Sequence, residues 1–387
     1  MNLDIIWISI ACALWVTAIL VTILGTGLFL RHLSEPPPYL DAPFSLYPVS
    51  ILKPLKGTDP GLRENLESFF NLEYPAFEII FSVANPQDPA TGLINDLIAK
   101  YPQVKARLIC GEVHTGVNPK VNNLVRSYES SRYPLLLISD SNVRVSRDYL
   151  KRLVAHLDPA VGLVTSLVTG THAQGLGGKL ERTFLNSFYA RGMLIADAAG
   201  KQCATGKSML FMKSVAERFG GIKVLGRYLA EDFMFGEAIQ HLGLKVVIAK
   251  DPVRQIIGNH GVRQFWNRHV RWGRIRKTQA PLAFAIEPWL GCFASGLVGS
   301  AAFSSLTGLT FSAFMAIHLL IWATSDYLIA RRLEKSSPYA FAPIWLIREL
   351  LALPLWLHTA SGNQVAWRGN QFTLKAGGLL ESRTNET

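Results

Sequence analysis

The sequence is poor in cysteine and in charged residues. Its 387 residues include only four cysteines, which excludes a small domain held together by disulfide bonds. Charged residues make up 17% of the chain, whereas about a quarter is usual in soluble proteins. Hydrophobic residues make up 49%, which excludes an intrinsically disordered chain. A membrane protein, or a large enzyme with membrane segments, remains.

Two long segments, residues 5–30 and 288–325, contain no Asp, Glu, Lys or Arg. The first is longer than the roughly 20 residues that cross a bilayer, and a cleaved signal peptide would have a shorter apolar run behind a positive start. The second predicts two helices with a break at 306–308. A third apolar stretch, Tyr339–Thr359, is interrupted by Arg348 and Glu349, so it is either a membrane-spanning helix or a helix lying in the interface.

Basic residues outnumber acidic ones, 39 against 28, and the formal net charge is +11. Arg31, His32, Lys53 and Lys56 follow the first apolar segment, whereas only Asp4 precedes it. By the positive-inside rule, the middle of the chain lies in the cytoplasm. We therefore predict a multi-pass integral membrane protein, divided into an N-terminal transmembrane helix (1–31), a linker (32–48), a cytoplasmic domain ending in an interfacial basic helix (49–280), C-terminal membrane segments (281–360) and a tail (361–387).

Strand-like and helix-like segments alternate in the middle of the chain. The pattern predicts strands over Val49–Leu52, Glu78–Val83, Ala106–Cys110 and Pro134–Ser139, and helices over Pro60–Phe70, Thr91–Tyr101 and Val121–Ser130. This alternation is typical of an α/β domain with a mostly parallel, Rossmann-like sheet covered by helices on both faces. Ligands of such sheets bind beyond the carboxyl ends of the strands. The glycines of Gly175–Gly178 predict a loop.

Asp140 and Asn142 come directly after the most apolar predicted strand. Oxygen side chains at this position can hold Mg²⁺ or Mn²⁺ against the phosphates of a substrate. The alternative is that Asp140 only caps a turn.

Two adjacent acids, Glu231 and Asp232, precede an apolar helix predicted over Met234–His241. Acids at the start of a helix can simply interact with the helix dipole. The functional interpretation is a general base, which works best when its pKa lies near the operating pH.

The segment from Arg263 to Lys277 carries six basic residues and no acid. Arg268 and Arg271 are one helical turn apart, so both can face one diphosphate, and Trp272 adds apolar area beside them. An amphipathic helix on an anionic membrane surface is a compatible alternative. No nucleic-acid partner is expected, because the chain is anchored by membrane segments.

Taken together, the ordered motifs resemble the ceramide glucosyltransferase family, which consists of membrane glycosyltransferases with a GT-A fold. The resemblance runs from about residue 49 to the C-terminus. The motifs that carry it are Lys53–Gly57, Asp88–Ala90, Gly116–Leu124, Cys203–Ser208, Ala230–Phe233, Arg268–Trp272, Ile347–Glu349 and Trp367–Gly369.

The resemblance implies an inverting hexosyltransferase of sphingolipid metabolism that transfers glucose from UDP-glucose to the primary hydroxyl of ceramide at the cytoplasmic membrane face. It also implies the roles of the site residues. Asp232 would be the base, Asp88 would contact the uridine, and Lys120 and Asn122 would line the donor pocket with Cys203 beside it. Asp140 would bind the metal and the donor diphosphate, and the diphosphate and the acceptor would be contacted by Arg268, Arg271 and Trp272. Asn142 replaces the second Asp of the family's DxD motif, which leaves the metal coordination open.

Two other interpretations remain. A hopanoid-associated N-acetylglucosaminyltransferase would have a similar layout. A transport or structural membrane protein with a nucleotide-binding domain would spread ionisable residues through several spans. Here only Arg348, Glu349 and His318 lie within apolar segments.

Overall fold

The computed structural model describes residues 3–37, 47–201, 203–367 and 369–382. Part of the predicted linker, Arg368 of the Trp367–Gly369 motif and the end of the tail therefore lie outside the described residues. The helices are α1 (Leu3–Ser34), α2 (Leu62–Phe70), α3 (Ala90–Lys100), α4 (Pro119–Glu129), α5 (Tyr149–Val154), α6 (Gly175–Phe184), α7 (Ala190–Ala198), α8 (Lys213–Glu217), α9 (Glu231–His241), α10 (Val262–Gln279), α11 (Pro281–Ile286), α12 (Cys292–Thr307), α13 (Phe311–Glu334) and α14 (Pro338–Ala360). The strands are β1 (Val49–Leu55), β2 (Phe77–Val83), β3 (Lys105–Cys110), β4 (Leu135–Ile138), β5 (Val143–Arg144), β6 (Val161–Gln174), β7 (Met209–Met212), β8 (Lys245–Asn259), β9 (Gln364–Trp367), β10 (Asn370–Leu374) and β11 (Leu380–Ser382).

The chain divides into two compact units. The sheet unit comprises the described parts of Leu33–Ala173, Ala196–Asn259 and Gly378–Thr387. The membrane unit comprises the described parts of Met1–His32, Gln174–Ile195 and His260–Gly377. The basic helix α10 is thus grouped with the apolar helices, whereas the predicted domain division assigns it to the end of the cytoplasmic domain.

The sheet unit contains an eight-stranded sheet in the order β3-β2-β1-β4-β7-β6-β8-β5. β1 is parallel to β2 and β4, and β2 is parallel to β3, as the alternating pattern predicts. β7 is antiparallel to β4 and β6, and β5 is antiparallel to β8. β1 and β4 are buried along their whole length, which explains why they read as continuous apolar runs. The α/β fold class is confirmed, with a mixed sheet.

Gly175–Gly178 do not form a loop, as the sequence predicted, but the first turn of α6. A Cβ atom on Gly177 would lie 2.1 Å from the carbonyl oxygen of Gly261, immediately before α10. The amide of Gly178 donates to the carbonyl of His260 at 3.0 Å. The prediction was wrong because Gly177 and Gly178 serve close packing of two backbones rather than a turn.

The membrane unit contains the apolar helices. Among the described residues, α1, α13 and α14 are each long and apolar enough to cross a membrane. Pro281–Leu290 and Cys292–Thr307 form a further apolar pair bent by 57°. The predicted break at 306–308 is confirmed, because α12 ends at Thr307 and Gly308 adopts a left-handed conformation with φ 72°.

The charged pair within α14 is buried and has partners. Arg348 donates from Nη2 to Asp326 of α13 at 3.1 Å, and Glu349 is an ion partner of Arg348. Asp326 also accepts from Trp345 Nε1 at 2.8 Å and pairs with Arg191 of α7. This buried ion network satisfies charges that would otherwise be expensive in an apolar helix. Asp326 follows directly after the uncharged segment 288–325, and nothing in the sequence alone predicts a role for it.

Candidate active site

The starts of α4 and α9 are joined by one side chain. Asn118 caps α4, with its Oδ1 accepting from the amides of Lys120 at 2.9 Å and Val121 at 3.3 Å. Its Nδ2 donates to the carbonyl of Tyr228 at 2.7 Å and to Glu231 Oε2 at 3.2 Å. Lys120, in the first turn of α4, and Glu231, in the first turn of α9, are therefore held beside each other.

Two lysines lie among the acids that follow β4 and begin α9. Lys120 Nζ lies 2.8 Å from Asp140 Oδ1 and 2.7 Å from Glu231 Oε1. Lys207 Nζ lies 2.8 Å from Asp140 Oδ2 and 2.8 Å from Asn142 Oδ1. We call Lys120, Asp140, Asn142, Lys207 and Glu231 the lysine–carboxylate cluster. Lys207 lies within the Cys203–Ser208 motif, but it is not among the site residues predicted from the sequence.

The cluster stabilises the charged forms of Asp140 and Lys120. Burial alone would raise the pKa of Asp140, but Lys120 and Lys207 outweigh it and hold the pKa of Asp140 below its ordinary value. Burial would lower the pKa of Lys120, but Asp140 and Glu231 outweigh it and raise that pKa above its ordinary value. Two ammonium groups, each paired with a carboxylate, thus lie at the sheet edge where a phosphate-bearing ligand is expected.

Asp232, in the first turn of α9, has a raised pKa. Its Oδ2 accepts from the amide of Gly206 at 2.8 Å, and its Oδ1 accepts from the amide of Phe233 at 2.9 Å. Burial and the negative charge of Glu231 nevertheless raise the pKa of Asp232 to about 6. A carboxylate with this pKa is mostly ionised at neutral pH and is still basic enough to accept a proton, as a general base requires.

Lys53 supports Asp140 from within the sheet. Its side chain is fully buried, and Nζ donates to the carbonyl oxygen of Asp140 at 2.7 Å and to Ser139 Oγ at 3.3 Å. The Phe69 ring centroid lies 3.8 Å from the same nitrogen. Burial lowers the pKa of Lys53 to about 7. A lysine inside the apolar strand β1 was the available sequence signal for this positioning role.

Asp88 and Asn122 fix loops at the same end of the sheet. Both carboxylate oxygens of Asp88 accept from the amide of Gly57, at 3.0 and 2.9 Å, which ties the turn after β1 to the start of α3. Asn122 Oδ1 accepts from the amides of Thr115 at 3.0 Å and Gly116 at 3.3 Å. Their contacts with a donor stay predictions.

Cys203 has a neutral thiol at physiological pH. Burial, helped by the charge of Asp232, raises the pKa of this thiol to about 11. Its predicted place beside the donor therefore does not include a role as a nucleophile, which would need the thiolate.

Arg268, Arg271 and Trp272 belong to α10 in the membrane unit. Arg268 pairs with the buried Glu181 of α6, which is 87 residues away in sequence and was not predicted as a partner. The guanidinium carbon of Arg271 lies 6.0 Å from the Trp367 ring centroid. Trp272 packs against Phe184 and His269. The two arginines thus have different partners here, and their contact with a diphosphate stays a prediction.

Asp140 and Asn142 are the residues predicted to hold a divalent cation. No group of three or more His, Cys, Asp or Glu side chains that could hold a metal ion occurs among the described residues. Asp140 and Asn142 nevertheless offer two oxygen ligands, both of which already accept from the cationic Lys207. Oxygen is the ligand type that Mg²⁺ prefers, but a metal ion could bind these two oxygens only in place of the Lys207 ammonium group. Asp140 would then be its one carboxylate ligand, and substrate phosphates and water would complete the shell.

A profile of known proteins described as glycosyl transferase family 21 matches residues 7–380. The chain belongs to this family. Ceramide glucosyltransferase 1 of Caenorhabditis elegans is 32% identical over 362 residues, covering 92% of this chain and 76% of the relative. The ceramide glucosyltransferase of Komagataella phaffii is 28% identical over 426 residues, covering 87% and 84%.

Among solved structures, the mannosyltransferase PcManGT from Pyrobaculum calidifontis, in complex with GDP-Man and Mn²⁺, superimposes with a TM-score of 0.53 at 19% identity. The match covers 92% of this chain and 98% of that one, and it shows the shared GT-A-like fold. The family resemblance inferred from the motifs is thereby confirmed. The chain is a hexosyltransferase with helices that could span a membrane.

Proposed function

We propose that this protein transfers glucose from UDP-glucose to the primary hydroxyl of ceramide, with inversion, at the cytoplasmic face of a membrane. Family membership and the ceramide glucosyltransferases of Caenorhabditis elegans and Komagataella phaffii support the reaction class and the lipid acceptor. The observation that carries the mechanism is the raised pKa of Asp232, about 6, beside the lysine–carboxylate cluster.

In the proposed reaction, a carboxylate oxygen of Asp232 takes the proton of the ceramide hydroxyl. The hydroxyl oxygen attacks the anomeric carbon of glucose from the face opposite the diphosphate. The new carbon–oxygen bond forms as the bond to the diphosphate oxygen breaks, and UDP leaves with that electron pair. A single displacement of this kind inverts the anomeric configuration, and a carboxylate is the base it needs.

Charge develops on the diphosphate as it leaves, and catalysis needs opposite charge placed there in advance. Lys120 and Lys207 supply fixed positive charge at Asp140, and Lys53 holds the Asp140 backbone. Asp140 and Asn142 would hold Mg²⁺ or Mn²⁺, which would add counter-charge when bound. In this proposal Asp88 lies at the uridine and Asn122 and Cys203 beside the donor, while Arg268, Arg271 and Trp272 serve the diphosphate and the acceptor.

A lipid acceptor requires a membrane, and the apolar helices α1, α13 and α14 fit that requirement. The positive residues that flank the apolar segments, such as Arg31, Arg331 and Arg332, favour a cytoplasmic active site, where UDP-glucose is supplied. The basic stretch Arg263–Lys277 would add attraction to anionic headgroups of about 1 kcal/mol per residue near the surface.

The test is a panel of UDP-glucose, UDP-galactose and UDP-N-acetylglucosamine, each offered with ceramide or with a hopanoid polyol. Mass spectrometry identifies the product, and the anomeric proton coupling in NMR gives its configuration. The proposal expects β-glucosylceramide from UDP-glucose. Transfer of N-acetylglucosamine to the hopanoid would favour the alternative function, a hopanoid-associated N-acetylglucosaminyltransferase. An α-linked product would contradict inversion.

A further inference from the structure

The membrane unit encloses a cavity that the mechanism above does not use. It encloses about 90 Å³, several times the roughly 10–15 Å³ that one buried water occupies. Residues from α6, α10, α11, α12, α13 and α14 line it, and most of them are aromatic or aliphatic, such as Phe184, Phe265 and Trp356. Pockets for drug-sized ligands measure roughly 300–1,000 Å³, so this apolar cavity has room for a few methylene groups of a lipid chain and not for a whole ligand of that size.

Two buried nitrogens at this cavity lack a hydrogen-bond partner among the residues that the structure describes. They are His269 Nε2 and Arg348 Nε, and both residues line the cavity and are at most 6% exposed. Buried polar atoms are nearly always paired, so unpaired ones at a cavity wall point to a ligand that supplies the partner. Burial lowers the pKa of His269 to about 3, so its ring is neutral and can donate or accept a hydrogen bond according to its tautomer.

The charges around the cavity balance. Arg276 pairs with Glu287 at 2.9 Å, and Arg348 pairs with Asp326 and Glu349. Arg191, the other arginine of this buried ion network, also pairs with Asp326. An anionic headgroup would have to compete with carboxylates already bound to these arginines. A neutral lipid with hydroxyl and amide groups meets no such competition.

We propose that this cavity holds hydrocarbon of the ceramide acceptor, with polar groups of the lipid hydrogen-bonded to His269 and Arg348. This proposal rests on the proposed function, because ceramide is the acceptor assigned there. It names a binding site in the membrane unit and makes His269, within the Arg268–Trp272 motif, a residue that contacts the acceptor.

The first test uses wild-type protein reconstituted in nanodiscs and a ceramide with a diazirine in its acyl chain. After irradiation, mass spectrometry maps the labelled peptides. The proposal expects labelling in α10, α12 and α14 that unlabelled ceramide competes away and phosphatidylserine does not. Equal competition by both lipids, or labelling spread over the exposed faces of α1 and α13 alone, would overturn it.

The second test fills the cavity. Ala294 lines it, whereas Ala301 lies seven residues later on the same helix, exposed and outside the lining. Ala294→Trp should raise the KM for ceramide by about tenfold or more, the factor that methylene-sized changes in an apolar pocket give. The KM for UDP-glucose should not change, and Ala301→Trp should behave as wild type. Equal KM values for ceramide in the two variants would overturn the proposal.

The third test concerns His269. His269→Leu should raise the KM for ceramide roughly fivefold, as the loss of one hydrogen bond does, and His269→Asn should recover part of it. If the Leu and Asn variants have the same KM for ceramide, His269 does not make this hydrogen bond.

A wild-type protein that makes no glucosylceramide would refute the proposed function itself. Glucosylceramide formed with an unchanged KM for ceramide in Ala294→Trp would refute the cavity proposal alone.

Discussion

Lys120 Nζ lies between two carboxylates, 2.8 Å from Asp140 Oδ1 after β4 and 2.7 Å from Glu231 Oε1 at the start of α9. This bridge links the predicted diphosphate site with the neighbour of the predicted base. Because Lys120 lowers and Glu231 raises the pKa of Asp232, the two residues control the base in opposite directions. That opposition can be measured.

The pH profile of kcat/KM should have an acidic limb near pH 6, because Asp232 must be deprotonated to act. Glu231→Gln removes a negative charge, lowers the pKa of Asp232 and shifts the limb to lower pH. Lys120→Met removes a positive charge and shifts it to higher pH. The exposed Glu73→Gln serves as control and should leave the limb in place. Shifts of the same sign in both variants would contradict the assignment of Asp232.

Removal of divalent cations should abolish activity, and Mg²⁺ or Mn²⁺ should restore it. Asp140 and Asn142 are the predicted protein ligands, so Asn142→Asp, which adds a second carboxylate, should lower the Mg²⁺ concentration needed for half-maximal rate. Activity is measured in EDTA and after titration of each metal. Full activity of the wild type in EDTA would contradict the metal requirement. The positive charge that stabilises the leaving diphosphate would then come from Lys120 and Lys207, together with Arg268 and Arg271.

The sequence predicted β1, β2 and β4 because buried parallel strands are largely apolar runs, and it also predicted β3, which is only partly buried. It did not predict β8, whose Lys250, Asp251 and Pro252 interrupt any such run. Asp140 and Asp232 could be proposed from their positions and the family resemblance. The pairing of Lys207 with Asp140 could not, since the two are 67 residues apart and meet only in the folded sheet unit.

The buried ion network of the membrane unit should be essential for stability. Asp326→Ala leaves Arg191 and Arg348 without the carboxylate that both contact, and loss of one partner from a buried pair costs about 3–5 kcal/mol. Thermal unfolding in detergent should show a lower Tm. Asp96→Asn, which breaks an exposed ion pair with Arg63, should change stability by at most about 1 kcal/mol. Equal Tm values for the two variants would mean that the network does not stabilise the fold.

The predicted topology places the sheet unit in the cytoplasm. Lys223 is about half exposed, so Lys223→Cys should react with a membrane-impermeant thiol reagent. We expect labelling only after the cytoplasmic face is opened, with the parent chain and its four native cysteines as background. Labelling in intact cells would contradict the predicted topology, because the active site would then lie on the side of the membrane opposite to its supply of UDP-glucose.

The most direct test of the account is the turnover of Asp232→Asn with UDP-glucose and ceramide. The substitution keeps the shape of the side chain but removes the base, so kcat should fall by roughly 10²–10⁴-fold. The Kd for UDP-glucose should stay within a few-fold of wild type, and the exposed Asp158→Asn should retain full activity. A kcat for Asp232→Asn within a few-fold of wild type would contradict the role of Asp232 as the base.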